Sequence, residues 1–234
     1  MARNGMLIPT EVVRNFYASL GLETGAPLKI AVDFDETLNY WLRWVNDLAN
    51  LLDGVRQRPL PTKYNSLGEH WGVNYDEERR RIDLFEAQPI ETHPIRGAIR
   101  TVRLLKDHKN RLDVLTFRPE EVRGTTWPWL ERHFTGCFGE LVMIGKQGVR
   151  TTAINKGLEA IERGYNVLID DQLPVILNFV RLGRETGTPV LGVLFGQYSW
   201  NVIDAQKLMR EGAVRGCHWR KVGDLLVPHS AVPA

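Results

Sequence analysis

Only two of the 234 residues are cysteine, Cys137 and Cys217. Two thiols cannot build a disulfide framework, and their separation fits no zinc pattern, so a reducing compartment is the expected home. Charge of one sign is also scarce. The 30 Lys and Arg against 28 Asp and Glu leave +2, too little for the broad basic surface on which nucleic-acid binders rely. Long apolar runs are missing as well. The longest stretch without a charge, 186–203, contains three glycines, a proline, Gln197, Ser199 and Asn201, a poor composition for a bilayer span. Residues 1–9 lack the apolar run of a signal peptide. These absences predict a soluble, cytoplasmic protein with neither a membrane nor a nucleic acid as its partner. With 43% hydrophobic and 25% charged residues, the composition is that of an ordinary globular chain, long enough to bury a core unaided.

Five short runs rich in Val, Ile and Leu read as buried strands: Leu28 to Asp33, Leu112 to Thr116, Leu141 to Ile144, Asn166 to Asp170 and Val190 to Phe195. Continuous apolar runs suit parallel strands covered on both faces. Helical patterns lie between most of them: Arg96 to Asp107, Glu121 to Phe134 (which Pro128 should kink or divide), Thr152 to Arg163 and Leu173 to Leu182. Strand-helix alternation with short loops predicts an α/β fold with a mostly parallel, Rossmann-like sheet of about five strands. About 78 residues separate the first two strands, far more than a crossover needs. An amphipathic pattern over Tyr40 to Leu52 and a charged one around Tyr75 to Ala87 make this stretch a small helical insert over the C-terminal edge of the sheet, where open α/β sheets bind ligands. The chain divides into an N-terminal extension (1–27), which includes a short helical pattern from Thr10 to Leu20, a core (28–38 and 94–234) and the insert (39–93).

The first strand runs through Ile30-Ala31-Val32 into Asp33-Phe34-Asp35-Glu36-Thr37. Two carboxylates so close repel when ionised, a cost a divalent cation such as Mg²⁺ relieves. An isolated Asp-x-Asp would read as solvated loop acids. Here other pieces follow at strand ends: Thr116, whose hydroxyl can donate to a phosphate oxygen, and the pair Asp170 and Asp171. Two lysines compete to neutralise a phosphate: Lys156, early in the helix before the fourth strand, and Lys146, directly after the third.

The order Asp-x-Asp-x-Thr, Thr, Lys, Asp-Asp resembles that of the haloacid dehalogenase superfamily of phosphohydrolases. Receiver domains fail the comparison, because their acid pair precedes the lysine. From about Leu28 to Leu226 the chain resembles the 5′(3′)-deoxyribonucleotidase branch. The likeness rests on Trp71-Gly72, Leu84-Phe85, Ile95-Arg96-Gly97-Ala98, Leu168-Ile169-Asp170-Asp171, Gly192-Val193-Leu194-Phe195 with Tyr198 and Asn201, and finally Trp219 with Leu225-Leu226. Glu36, Thr37 and Arg118 depart from that branch's usual residues, which puts the substrate in question and leaves the chemistry intact.

The resemblance implies an Mg²⁺-dependent phosphomonoesterase acting on (deoxy)nucleoside monophosphates as a 5′-nucleotidase. Asp33 would be the nucleophile, and Asp35 the general acid and base. Thr116 and Lys156 would bind phosphate. The metal would take Asp33, Asp35 through its carbonyl, Asp170 and Asp171, the last as ligand or neighbour of a ligand. The insert would cap the site, with Trp41, Trp44, Tyr64, Trp71 and Phe85 free to stack a base and Arg118 as a further substrate contact. Competing readings keep the fold and change what it acts on or whether it acts at all. They are a polynucleotide 3′-phosphatase, a sugar-phosphate phosphatase, and a phosphate-binding protein without activity. The sequence leaves homodimerisation open.

Overall fold

The structure, a computed structural model, describes residues 9–23, 26–61, 67–146 and 153–227. Its elements in chain order are α1 (Pro9–Ser19), β1 (Lys29–Val32), α2 (Trp41–Leu52), α3 (Leu67–Trp71), α4 (Tyr75–Glu86), α5 (Ala98–Asp107), β2 (Arg111–Pro119), α6 (Arg123–Phe134), β3 (Leu141–Gly145), α7 (Ala153–Glu162), β4 (Val167–Asp170), α8 (Leu173–Thr186), β5 (Leu191–Phe195), α9 (Ala205–Arg210), β6 (Ala213–Gly216) and α10 (Trp219–Leu226). Among the described residues no helix is long and apolar enough to cross a membrane.

The sheet has six strands rather than about five, in the order β3-β2-β1-β4-β5-β6, and each neighbouring pair is parallel. The strand that the sequence conceals is β6, whose four residues include Arg215 and Gly216 and so make no apolar run. Alternate residues along each strand feed opposite faces. Ile30 and Val32, Leu112 and Val114, and Val167 and Ile169 join the core under α1, α5, α6 and α10. Ala31, Leu115 and Leu168 join the core under α7, α8 and α9. Both faces are covered, which is why the strands read as unbroken apolar runs. The expected division at Pro128 does not occur: α6 continues through it. Burial of Trp129, Leu130 and Phe134 on the face of that helix outweighs one lost main-chain bond.

Strand order reverses at β1. The chain winds outward through β2 and β3 on one side, then returns to add β4, β5 and β6 on the other. The crevice of such a sheet opens at this switch point, beyond the C-terminal ends of β1 and β4. Asp33 follows β1, and its N–H continues the ladder to Ile169 O at 2.9 Å. Asp170 ends β4.

The helices α2, α3 and α4 fill the long excursion after β1. Asn39, fully buried, bridges to Asp35 on one side and to Pro94 on the other, and Ile95 N–H donates to Leu38 O at 2.8 Å. The chain therefore leaves the sheet and returns to it through one stitched point. The excursion has its own apolar interior, in which Trp41, Trp44, Val45, Leu67, Trp71, Ile82 and Phe85 are buried and continuous with the α5–α6 side of the core.

At the far lip, β2 and β3 pair as far as Thr116 and Met143, then shift register before Pro119 meets Gly145. A Cβ on Gly145 would lie 1.8 Å from Phe117 O and 2.9 Å from Arg118 C, so only glycine lets β3 approach the irregular end of β2. Gly145→Ala should lower stability by about 1–3 kcal/mol and, because the clash falls on the peptide carrying Arg118, should disturb that side chain too. Urea unfolding checks this; an unchanged midpoint contradicts the account.

Candidate active site

Three carboxylates meet at the crevice. Asp33, Asp170 and Asp171 are all buried, and each offers an oxygen within 4.8 Å of the other two. The cation that makes this tolerable is Lys156, buried in α7. Its ammonium hydrogen-bonds Asp33 Oδ1 and lies 2.7 Å from Asp170 Oδ2, an ion-pair contact not aligned as a hydrogen bond. It also lies 4.9 Å from the Phe117 ring centroid. Lys146, the other candidate, is exposed.

Three acids against one ammonium leave the cluster acid-rich. Burial pushes Asp33 up to about 7; Lys156 pulls it down, but Asp170 and Asp35 add to the upward push. Asp171 is raised well above the usual carboxylate range by burial, with Asp170 and Asp33 adding to the effect. For Lys156, burial opposes the charge and the two aspartates more than restore it, so its ammonium is held above the usual lysine range.

Supporting contacts fix the acids. Gln172 N–H donates to Asp170 Oδ1 at 2.7 Å. Trp200 Nε1 donates to Asp171 Oδ2 at 2.8 Å, and Asn201 Nδ2 donates to both Asp171 O and Phe195 O. Arg215 of β6 in turn donates to Asn201 Oδ1, Asn201 O and Gly196 O. The strand hidden from sequence reading thus holds the loop that holds Asp171.

Asp35 does not join the carboxylate cluster through its side chain. It turns to Arg118, whose Nε lies 3.0 Å from Oδ2 and whose second nitrogen lies 2.9 Å from Oδ1. Arg118 is buried and covers the Phe34 ring at 4.8 Å, while Trp129 meets that ring edge-on at 5.1 Å. The two phenylalanines of the Asp33-Phe34-Asp35 and Thr116-Phe117-Arg118 segments thus each face a cation of the site. Thr116 is buried, and its hydroxyl oxygen accepts the Arg118 main-chain N–H at 3.1 Å, which leaves its O–H to donate elsewhere.

Glu36 takes a left-handed φ of 55°. Its carboxylate accepts Leu42 N–H at 2.7 Å in the first turn of α2, and its carbonyl accepts the Tyr198 hydroxyl at 2.8 Å. Burial raises Glu36 to about 7, against that N–H bond. It starts the first helix of the excursion in place of Tyr40, which makes no side-chain cap.

The aromatics expected to stack a base are turned inward. Trp71 is buried, donates its indole N–H to Asn46 Oδ1 at 3.3 Å and packs edge-on against Phe85 at 6.1 Å. Trp41 and Trp44 are buried in the same interior. Tyr64 lies outside the described residues. Sequence reading missed Glu86, the last residue of α4, which is buried within electrostatic reach of Arg118 and Asp35. Burial raises it to about 7, with Arg118 opposing. A groove of about 1220 Å³ opens between α5 and α10, lined in part by Tyr40, Arg96, Arg100, Tyr198 and Arg220. Neither Lys156 nor the clustered carboxylates line it, so the donor set and not the volume locates the chemistry.

The donor set suits a hard divalent cation. All three side chains offer oxygen, they converge, and a cation of charge two would offset their excess charge. Removing the ammonium should expose that excess. Lys156→Met should cost about 3–5 kcal/mol at neutral pH, because it strands buried carboxylates without a partner. The loss should shrink as pH falls and the acids take up protons. Denaturation at several pH values checks this, and a loss that grows toward low pH contradicts it.

No protein-family model and no curated protein matches the sequence. Solved structures do match the fold. One is described as a predicted phosphatase from Clostridium acetobutylicum, 13% identical, with a TM-score of 0.58 over 85% of this chain and 97% of that one. Another is a predicted phosphoglycolate phosphatase from Haemophilus somnus, 15% identical, with a TM-score of 0.57 over 86% and 98%. A third is a haloacid dehalogenase-like family hydrolase from Streptococcus pneumoniae, 13% identical, with a TM-score of 0.55 over 84% and 97%. The chain therefore has the Rossmann-like α/β architecture of haloacid dehalogenase-superfamily hydrolases.

Proposed function

We propose that the protein is a divalent-cation-dependent phosphomonoesterase working through an aspartyl-phosphate, with nucleoside monophosphates as its substrates. One observation carries the phosphatase reading. At the switch point of the sheet a buried lysine is shared by Asp33 and Asp170, with Asp171 beside them and a second carboxylate, Asp35, two residues from the first.

Asp33, Asp170 and Asp171, with the main-chain carbonyl of Asp35, would hold Mg²⁺, which when bound offsets the negative charge shared by the carboxylates and the phosphoryl oxygens. Asp33 is the nucleophile: a carboxylate oxygen bonds to phosphorus as the bond from phosphorus to the ester oxygen breaks. Asp35 gives a proton to that oxygen, which leaves as an alcohol. Asp35 then takes a proton from water as the water oxygen bonds to phosphorus and the Asp33–phosphorus link breaks, releasing inorganic phosphate and restoring both carboxyl groups. Lys156 and the Thr116 hydroxyl donate to the phosphoryl oxygens, whose charge must be met throughout. Arg118 orients Asp35, and the excursion between β1 and α5 acts as a cap that excludes water and faces the leaving group.

The nucleotide reading is supported by local sequence likeness at Leu168 to Asp171 and Gly192 to Phe195, with Tyr198 and Asn201. A second reading, a small phosphorylated acid or sugar without a base, draws support from the inward-turned Trp71 and Phe85 and from the phosphoglycolate phosphatase named among the similar structures. Phosphate release across nucleoside monophosphates, phosphoglycolate, sugar phosphates and a 3′-phosphorylated oligonucleotide, with and without Mg²⁺, separates them. Asp33→Asn should abolish release from every ester that the unaltered protein hydrolyses, because an amide attacks phosphorus poorly. More than a few per cent of wild-type kcat in a clean preparation sinks the mechanism.

Arg118→Met should show a leaving-group signature. An alkyl phosphate needs a proton on its departing oxygen, whereas p-nitrophenolate departs without one. A misplaced Asp35 should therefore cut kcat for the alkyl ester by about 10²-fold or more and kcat for p-nitrophenyl phosphate far less. Equal losses would mean that Arg118 supports the fold and not Asp35.

A further inference from the structure

The groove of about 1220 Å³ between α5 and α10 takes no part in the chemistry proposed above. Three arginines line it: Arg96, just ahead of α5, Arg100, in the first turn of α5, and Arg220, in the first turn of α10. Among the described residues none of these guanidinium groups has an ion-pair or hydrogen-bond partner. Arg79, Arg80 and Arg81 of α4, by contrast, each pair with an acid. Asp224, the one acid of the groove, follows Arg220 by a helical turn and forms no ion pair with it. Three cations against one anion leave a positive surplus in this one concavity, in a chain whose net charge is only +2. A single exposed arginine is satisfied by water, but three lining one groove repel one another until an anion joins them. Much of the remaining lining is apolar, with Ile95 and Phe195 buried and Leu104 and Tyr40 each more than a third exposed.

We infer that this groove is a second binding site, for a small molecule that carries phosphate on a planar, largely apolar body. The inference goes beyond the phosphomonoesterase reading and does not depend on it. Guanidinium groups match phosphate and carboxylate oxygens in paired hydrogen bonds. Three of them against one acid favour a ligand with at least two negative charges, which a phosphate group supplies near pH 7 and a single carboxylate does not. A bare phosphate would leave the apolar lining and the Tyr40 ring unused. A nucleoside diphosphate has both parts. The walls are fixed in advance, as in ligand sites generally. Thr101 of α5 donates its hydroxyl to Trp219 O of α10 at 3.1 Å, and a Cβ on Gly223 would lie 3.3 Å from Thr101 Cγ2, so the two helices are in close contact. Tyr198, on the wall formed by the loop after β5, donates its hydroxyl to Glu36 O, and Arg215 donates to Gly196 O in the same loop.

Calorimetric titration of the full chain with ADP, in EDTA, tests the inference. Without a divalent cation the acid-rich cluster at the sheet edge repels phosphate, so binding under these conditions reports the groove. ADP should bind at one molecule per chain. Inorganic phosphate and adenosine, each supplying half of the contact, should bind roughly tenfold more weakly or worse. Arg100→Met and Arg220→Met should each weaken ADP binding roughly tenfold, the scale of one charged hydrogen bond. Asp224→Asn should strengthen it, because the one opposing charge is gone. All three side chains are exposed, so melting curves should match the unaltered protein; were one arginine variant to fail to fold, the other and Asp224→Asn carry the same test. No binding of ADP overturns the inference. Binding that none of the three substitutions moves puts the nucleotide elsewhere and overturns it too, and phosphate binding as tight as that of ADP overturns the apolar body. With Mg²⁺ present, kcat for p-nitrophenyl phosphate should be unchanged in both arginine variants. A loss there in step with the loss of ADP binding would make the arginines part of the phosphatase site and overturn the second one.

Discussion

Everything at the C-terminal edge of the sheet depends on one buried ammonium. Lys156 stands between Asp33 from the end of β1 and Asp170 from the end of β4, two strands that sit side by side only because the sheet reverses its order there. Without a cation, carboxylates at the ends of adjacent parallel strands would repel across a medium that screens poorly. With one, the strands can end in acids, and the acids can be held ready without water around them. The lysine reaches them from α7, a helix on the opposite face from α5, α6 and α10. Chemistry and fold are thus tied by the same contact. The cluster is acid-rich, and that surplus is what would give a divalent cation a reason to bind.

Much of this was legible in the chain. The apolar runs ending in Asp33, Thr116 and Asp170 marked strands and the edge where these residues gather together, because a strand covered on both faces carries few polar residues until it leaves the core. The sequence left Lys156 and Lys146 in competition; the structure sets Lys156 against Asp33 and Asp170 and leaves Lys146 exposed. Other parts were not legible, for identifiable reasons. β6 has four residues, and one of them, Arg215, looks like a surface residue although it bonds three acceptors around Asn201. The pairing of Arg118 with Asp35 joins residues 83 apart, and nothing local announces it. Trp71 and Phe85 carry the pattern of a helix face that must be covered, but sequence cannot say whether a ligand or a neighbouring helix does the covering. Here the neighbour does. Glu86 was invisible for the opposite reason: among the acids and arginines of α4 it reads as one more solvated charge.

Electrostatics also divides the labour within the site. Lys156 serves the acids that would meet metal and phosphorus, while Arg118 serves the acid that would meet the departing oxygen. Each cation also lies against a phenylalanine, Lys156 on Phe117 and Arg118 on Phe34. The two rings come from the segments that carry the neighbouring acid or cation, so a shift of either segment moves an aromatic face and a charge together. Such coupling favours a few discrete arrangements over gradual drift.

The stitch at Asn39 has a consequence for how such a chain can diversify. Its partners are Asp35 before it and Pro94 after it, so the two ends of the excursion lie against each other, and beyond that seam the excursion meets the rest of the protein through its buried face on the α5–α6 side of the core. The distance that the chain must span between β1 and α5 is set at the seam and not by the length of what hangs from it. Residues could be added, removed or exchanged away from the buried face that joins the core, with β1 and α5 registering no change in the separation they must span. Natural variation in this lineage should therefore be uneven, with the sheet edge nearly frozen and the suspended piece free to be replaced as a unit. The seam is also a practical joint: a foreign helical module with closely spaced ends and a matching apolar face could be grafted at it without rebuilding the sheet edge.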